Sequence, residues 1–96
     1  MDIRQTALFE RAVKKLSKQQ KQDLDHAIQQ ICRNPDIGEN KKGDLLGVFV
    51  YKFNMNKQRV LLAYSVDHVG ERVMTLYLLK LGSHENFYRD LKQYEN

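Results

Sequence analysis

Up to Pro35 the apolar positions recur with the period of a helix. Phe9, Ala12, Val13 and Leu16 follow the spacing i, i+3, i+4, i+7 and form a stripe on one helix face. Thr6 stands where an N-cap belongs, because its hydroxyl can accept a hydrogen bond from an unpaired first-turn N–H. A second stripe follows at the same spacing: Leu24, Ala27, Ile28 and Ile31. Ser17 with Gln20 three residues on reads as a capping box for it. The two segments predict a helical hairpin that must cover an apolar surface. Asn34-Pro35 ends it, since proline disfavours helical backbone in the residue before it. Residues 1–5 read as a short edge strand.

Beyond Gly43 the period becomes two. Residues 46–55 (LGVFVYKFNM), 58–66 (QRVLLAYSV) and 72–81 (RVMTLYLLKL) are rich in β-branched and aromatic side chains. Asn56-Lys57 reads as a tight turn and residues 67–71 as a looser one, so the segments predict a three-stranded antiparallel meander. Residues 83–96 return to a helical pattern, with Ser83 as cap and Phe87, Leu91 and Tyr94 as the apolar stripe. The fold class expected is α+β: a helical hairpin on a small antiparallel sheet, followed by a C-terminal helix.

A two-residue turn at Asn56-Lys57 pairs Met55 with Gln58, Asn54 with Arg59 and Lys52 with Leu61. A second turn centred between Val69 and Gly70 pairs Val66 with Val73 and Arg59 with Lys80. One sheet face then carries Phe49, Tyr51, Phe53, Val60, Leu62, Tyr64, Val66, Val73, Tyr77 and Leu79, and should lie under the hairpin. The other carries Val48, Val50, Leu61, Ala63, Met74, Leu76 and Leu78, with Lys52, Asn54, Arg59 and Lys80 at one end. Its apolar half is a candidate groove for a partner peptide, acidic enough to meet the basic end.

Length and composition narrow the class. The 96 residues suit one domain, 1–96, and six Gly plus Pro positions exclude a disordered or low-complexity chain. The single Cys32 excludes an internal disulfide framework or a cysteine-based zinc cluster, and suits a reducing cytoplasm. No apolar run approaches a membrane span of about 20 residues, and charges in the first 16 residues argue against a signal peptide. Net charge is +4, divided as +3 over residues 1–43 and +1 over 44–96, so a positive patch must come from geometry. Lys14, Lys15, Lys18 and Lys21 gather around the turn of the helical hairpin.

The chemistry-bearing residues converge on one end of the sheet. Lys80 leads through Gly82-Ser83 to His84, and Tyr88 shares a helix face with His84 at a spacing of four. Cations with a histidine and a tyrosine suit phosphodiester chemistry without a metal. The cations stabilise charge on a phosphate oxygen, and the histidine moves protons near neutrality. The tyrosine stacks on a base or holds a phosphate. RNA supplies its own nucleophile, the 2′-hydroxyl. No cofactor is called for: there is no metal-spaced cluster, no Ser/His/Asp order and no glycine-rich phosphate loop.

The segments FERAVKKL, GDLLGVFVYKF, RVLLAYSV and especially LKLGSHENFYRDLK resemble the bacterial RelE/ParE superfamily, the toxin half of type II toxin–antitoxin pairs. The resemblance spans nearly the whole chain. It implies a cytoplasmic endoribonuclease that enters the ribosomal A site and cuts messenger RNA. Lys52 matches a strand position where such toxins place a catalytic lysine. Arg59 is similar to their strand arginine, offset by two positions on the same face. His84 and Tyr88 resemble the His-x-x-x-aromatic ending of one branch. By this resemblance Lys52, Arg59, His84 and Tyr88 are catalytic, while Asn54, Lys57, Lys80 and Arg89 contact RNA. The implied partners are an antitoxin, the ribosome and its message. The ParE branch shares the fold, lacks this constellation and inhibits DNA gyrase; that is the alternative.

Overall fold

The computed structural model describes residues 1–83 and Phe87. Its strands are β1 (Asp2–Gln5), β2 (Glu39–Asn40), β3 (Phe49–Met55), β4 (Gln58–Val69) and β5 (Arg72–Gly82), in one sheet of spatial order β1-β5-β4-β3-β2. Helices α1 (Ala7–Lys14) and α2 (Lys18–Arg33) connect β1 to β2 and lie on one sheet face. β1 runs parallel to β5 and the remaining pairs are antiparallel, so the sheet is mixed. The expected edge strand is therefore present. The meander grows to five strands because residues 39–40 add a short β2, which no periodicity could announce.

Capping places the hairpin. The Thr6 hydroxyl accepts from the Phe9 N–H at 3.0 Å and donates to the Leu79 carbonyl at 2.7 Å, tying the first turn of α1 to β5. The Ser17–Gln20 capping box closes as expected, with both reciprocal bonds formed (3.2 and 2.8 Å). The helix stripes bury Phe9, Leu24, Ala27 and Ile31 against Phe53, Met55, Val60, Leu62, Tyr64, Leu76, Leu78 and Leu81. Fully burying one such side chain is worth about 1.5–3 kcal/mol, so this layer is the main source of stability. Tyr64 lies at its centre. Its hydroxyl donates to the Pro35 carbonyl (2.7 Å) and accepts from the Gly38 N–H (3.0 Å), pinning the segment that leaves α2.

The β3–β4 register is the expected one: Met55 opposite Gln58, Asn54 opposite Arg59, Lys52 opposite Leu61. Asn56 (φ 50°) and Lys57 (φ 69°) are both left-handed, which makes this a type I′ turn whose twist matches the strands. β3 itself starts later than the alternation predicts. Residues 46–48 belong to a connection formed by a 3-10 turn at Gly43–Leu45 and by Gly47 (φ 86°).

The second hairpin departs from expectation. β4 runs on to Val69 and turns in two residues, Gly70 and Glu71, pairing Val69 with Arg72. Register shifts then fall between Asp67 and His68 and between Ala63 and Tyr64. Val66 consequently meets Leu76 rather than Val73, and Lys80 meets Ala63 rather than Arg59. Each shift inserts one residue and inverts the alternation beyond it. Leu76 and Leu78 therefore pack under the hairpin, while Tyr77 and Leu79 turn to the other face, the reverse of the predicted assignment. That other face buries Leu45, Val48, Val50, Leu61, Ala63 and Leu79 beneath Phe87, which is helical. Among the described residues, no helix is long and apolar enough to cross a membrane.

Candidate functional site

Strand alternation fixes the direction of each candidate side chain. Phe53, Met55, Val60 and Leu62 belong to the helix-side core, so Lys52, Asn54, Arg59 and Leu61 point to the opposite face. Lys52, Asn54, Lys57 and Arg59 are all exposed. Asn54 and Arg59 are direct cross-strand partners, and Lys52 is the diagonal neighbour of Arg59, with Cβ atoms somewhat under about 7–8 Å apart. Among the described residues neither cation forms an ion pair. Two cations and an amide thus share one small area of exposed sheet. Cations at this diagonal spacing can share one phosphate between their long side chains. The guanidinium can grip two of its oxygens at once, and the ammonium can add a point charge.

Lys80 is not part of this group. It stands on the same face beside Ala63, four β4 residues from Arg59, which is about 13–14 Å along the strand. Half-buried, it places Nζ 5.6 Å from the Phe87 ring centroid, a cation–π contact. The repelling Arg59–Lys80 pair expected from the simple register therefore does not form. His84, Tyr88 and Arg89 lie outside the described residues. β5 nevertheless delivers the chain to this neighbourhood. Gly82 is opposite Leu61, and Gly82 and Ser83 line a cleft of about 170 Å³ together with Arg59 and Gln58. Its apolar wall comes from Ala12, Leu16, Met55, Val60 and Leu81.

Two further charged groups adjoin Lys52. Glu39 pairs with Val50 across β2–β3 and so lies diagonal to Lys52 on the same face. Its carboxylate meets Lys41 Nζ at 3.0 Å. That hydrogen bond and charge hold the Glu39 carboxyl below its ordinary 4.5, and Lys52 adds a smaller pull. The sequence reading missed this pair because a two-residue strand leaves no alternation to detect. Residue Glu39 keeps an ionised acceptor beside the basic face. Among the described residues, no three His, Cys, Asp or Glu side chains gather as metal ligands.

Solved structures resemble this fold. E. coli RelE in the free state, as a variant with two arginine-to-alanine substitutions, aligns with TM-score 0.71 and 17% identity over 97% of this chain and 95% of that one. A chain of the intact E. coli RelBE toxin–antitoxin complex aligns with TM-score 0.65 and 18% identity, covering 88% of this chain and 96% of that one. An isolated E. coli RelE crystal form gives 0.62 at 17% identity over 97% of both chains. At such identities the likeness is one of fold. No curated protein matches the chain. Residues 3–92 match the family described as ParE-like toxin of type II bacterial toxin-antitoxin system. That match covers nearly the whole chain, which therefore belongs to the ParE-like toxins of type II bacterial toxin–antitoxin systems.

Proposed function

We propose that this toxin is a ribosome-dependent endoribonuclease that cuts messenger RNA without a metal. The observation that carries the reading is the exposed Lys52–Asn54–Arg59 group, which forms no ion pair among the described residues, is suited to a phosphate and adjoins the cleft where Gly82 and Ser83 meet Arg59. In the reaction a ribose 2′-hydroxyl attacks the adjacent phosphorus, and the bond to the 5′ oxygen of the next nucleotide breaks. The products are a 2′,3′-cyclic phosphate and a 5′-hydroxyl. Arg59 and Lys52 stabilise the charge that grows on the non-bridging oxygens, and Asn54 donates hydrogen bonds. His84 follows Ser83 directly and supplies proton transfer, while Tyr88 stacks on a base of the message. Lys57, Lys80 and Arg89 contact the RNA backbone.

The cognate antitoxin is the natural protein partner, as RelB is for RelE in the RelBE complex. The match to ParE-like toxins supports one other reading, a non-catalytic inhibitor of DNA gyrase. Purified protein added to translating ribosomes, with cleavage mapped on the message, tests the proposal. Cuts that disappear in a folded Arg59→Ala variant support it. Intact messages together with blocked gyrase supercoiling would establish the alternative.

A further inference from the structure

The sheet ends on one side at β1, and every residue of that strand is exposed. Among the described residues, half of the exposed large apolar side chains gather there: Met1, Ile3 and Met74, the last preceding Thr75, the partner of Asp2. The Thr6 N–H donates to the Leu78 carbonyl at 3.1 Å, so it points inward to β5. Backbone direction alternates along a strand. Asp2 and Arg4 therefore bond toward β5, and the N–H and C=O groups of Ile3 and Gln5 are aimed outward. Outward-facing backbone groups beside apolar side chains are a template for another strand, which folded proteins commonly blunt with lysine, proline or a covering segment. This edge carries one acid and one base instead, Asp2 and Arg4. Neither forms an ion pair among the described residues.

The segment is complementary to itself in one antiparallel register. Centred on Ile3, that register sets Ile3 opposite the same residue of a second copy, and Asp2 opposite Arg4 on either side of the axis. The central pair can exchange both of its outward backbone bonds, and the Gln5 N–H can reach the Met1 carbonyl of the other copy. Ile3 is paired with Leu76 and so lies on the helix side of the sheet, whereas Asp2 and Arg4, paired with Thr75 and Tyr77, lie on the other. Apolar side chains thus meet on one face and unlike charges on the opposite one. A slip of two residues sets Asp2 against Asp2 or Arg4 against Arg4, and a slip of one sets Ile3 against a charge and inverts the faces. We infer that β1 is a self-association edge, at which two copies of this chain pair β1 with β1 about a twofold axis and continue the sheet from one copy into the other. The pairing leaves the Lys52–Asn54–Arg59 group open, because β5 stands between β1 and β4. It is independent of the nuclease reading.

Charge reversal tests the pairing, read by sedimentation equilibrium from low to high micromolar protein. The parent should dimerise. Asp2→Arg and Arg4→Asp, each alone, should weaken the dimer by about tenfold or more, because both cross-strand charge pairs become repulsive. Both positions are exposed, so the dilute variants should melt like the dilute parent. An equimolar mixture of the two variants restores unlike charges in both pairs and should form a mixed dimer. The double variant, Asp2→Arg with Arg4→Asp, should dimerise with itself. Amide hydrogen exchange locates the contact: the Ile3 and Gln5 N–H groups should exchange more slowly as the parent is concentrated. A monomeric parent would overturn the inference, including one whose β1 edge takes a strand from a different protein. So would a dimer that survives each single reversal, or a mixture of the two reversed variants that stays monomeric.

Discussion

Replacing Tyr64 with Phe should cost this protein much of its stability through a single oxygen atom. The ring is fully buried and stacks on Phe49, with centroids 5.4 Å apart and planes inclined by 15°. Phe preserves that packing. What it removes is a hydroxyl that accepts from the buried Gly38 N–H and donates to the Pro35 carbonyl. A buried donor left without a partner costs about 1–3 kcal/mol, and a typical second bond adds about 0.5–1.5 kcal/mol. Some relaxation at half-buried Pro35 offsets part of this, so the expected loss is about 2–3 kcal/mol. For a domain of this size that lowers the melting temperature by about 10–20 °C. A Cβ built on Gly38 would lie 2.8 Å from the Tyr64 hydroxyl oxygen and 2.9 Å from a ring carbon, so the backbone approaches the ring closely here. The same closeness makes Gly38→Ala destabilising by overpacking.

The hydroxyl also gives the substitution a pH signature. Burial raises the Tyr64 pKa above its ordinary 10.0, against the opposing effect of the Gly38 N–H. The native state therefore favours the protonated phenol. Its stabilising contribution is complete below pH 10 and is lost as pH rises through the higher native value, because only the unfolded chain ionises readily. Urea unfolding of the parent and Tyr64→Phe across pH 7 to 11 measures both effects. The difference between them should be largest near neutrality and shrink in alkali. A neutral-pH difference under about 0.5 kcal/mol would refute the reasoning, since it would mean that Gly38 and Pro35 find other partners at no cost.

Four other outcomes follow from named contacts. Lys57→Gly removes a lysine from left-handed backbone, a strain of about 1–2 kcal/mol, while raising the entropy of the unfolded chain; calorimetry should show a gain of up to about 1 kcal/mol, and a lower melting temperature would contradict the turn assignment. Thr6→Ala loses the cap on α1 and the bond to Leu79, so it should cost about 1–2 kcal/mol, with Thr6→Ser restoring most of it. Arg59→Ala should reduce kcat for message cleavage by about 100-fold or more in a protein that melts like the parent, and Arg59→Lys should recover only part, because an ammonium lacks the two-pronged grip. Lys80→Met keeps the aliphatic stem but deletes the charge over Phe87; differential scanning calorimetry should register a loss of about 0.5–1 kcal/mol.

The two β-hairpins show what a sequence can specify. Asn56-Lys57 is a two-residue turn flanked by clean alternation, so one local feature determines seven cross-strand pairs, including Asn54 with Arg59. Half of the candidate site was legible for that reason, and the helix caps at Thr6 and Ser17 were legible because each is settled within three residues. β5 carries no comparable signal. Leu76, Leu78, Leu79 and Leu81 are all buried, some under the helices and others under Phe87, so both faces of the strand are apolar and alternation cannot report a register shift. The two inserted residues, and a turn centred one residue later than expected, are invisible in the string of letters, yet together they move Lys80 from Arg59 to Ala63. This displacement resolves the electrostatic difficulty that the simple register created. Two cations forced opposite one another would have needed a bound anion to coexist; instead Lys80 rests on an aromatic face, and Arg59 is left with Asn54, a neutral partner that can share a phosphate rather than repel its other ligand. The later turn and the bulges together therefore separate a cation engaged in packing from the exposed cations, Lys52 and Arg59, that remain available to an anionic substrate.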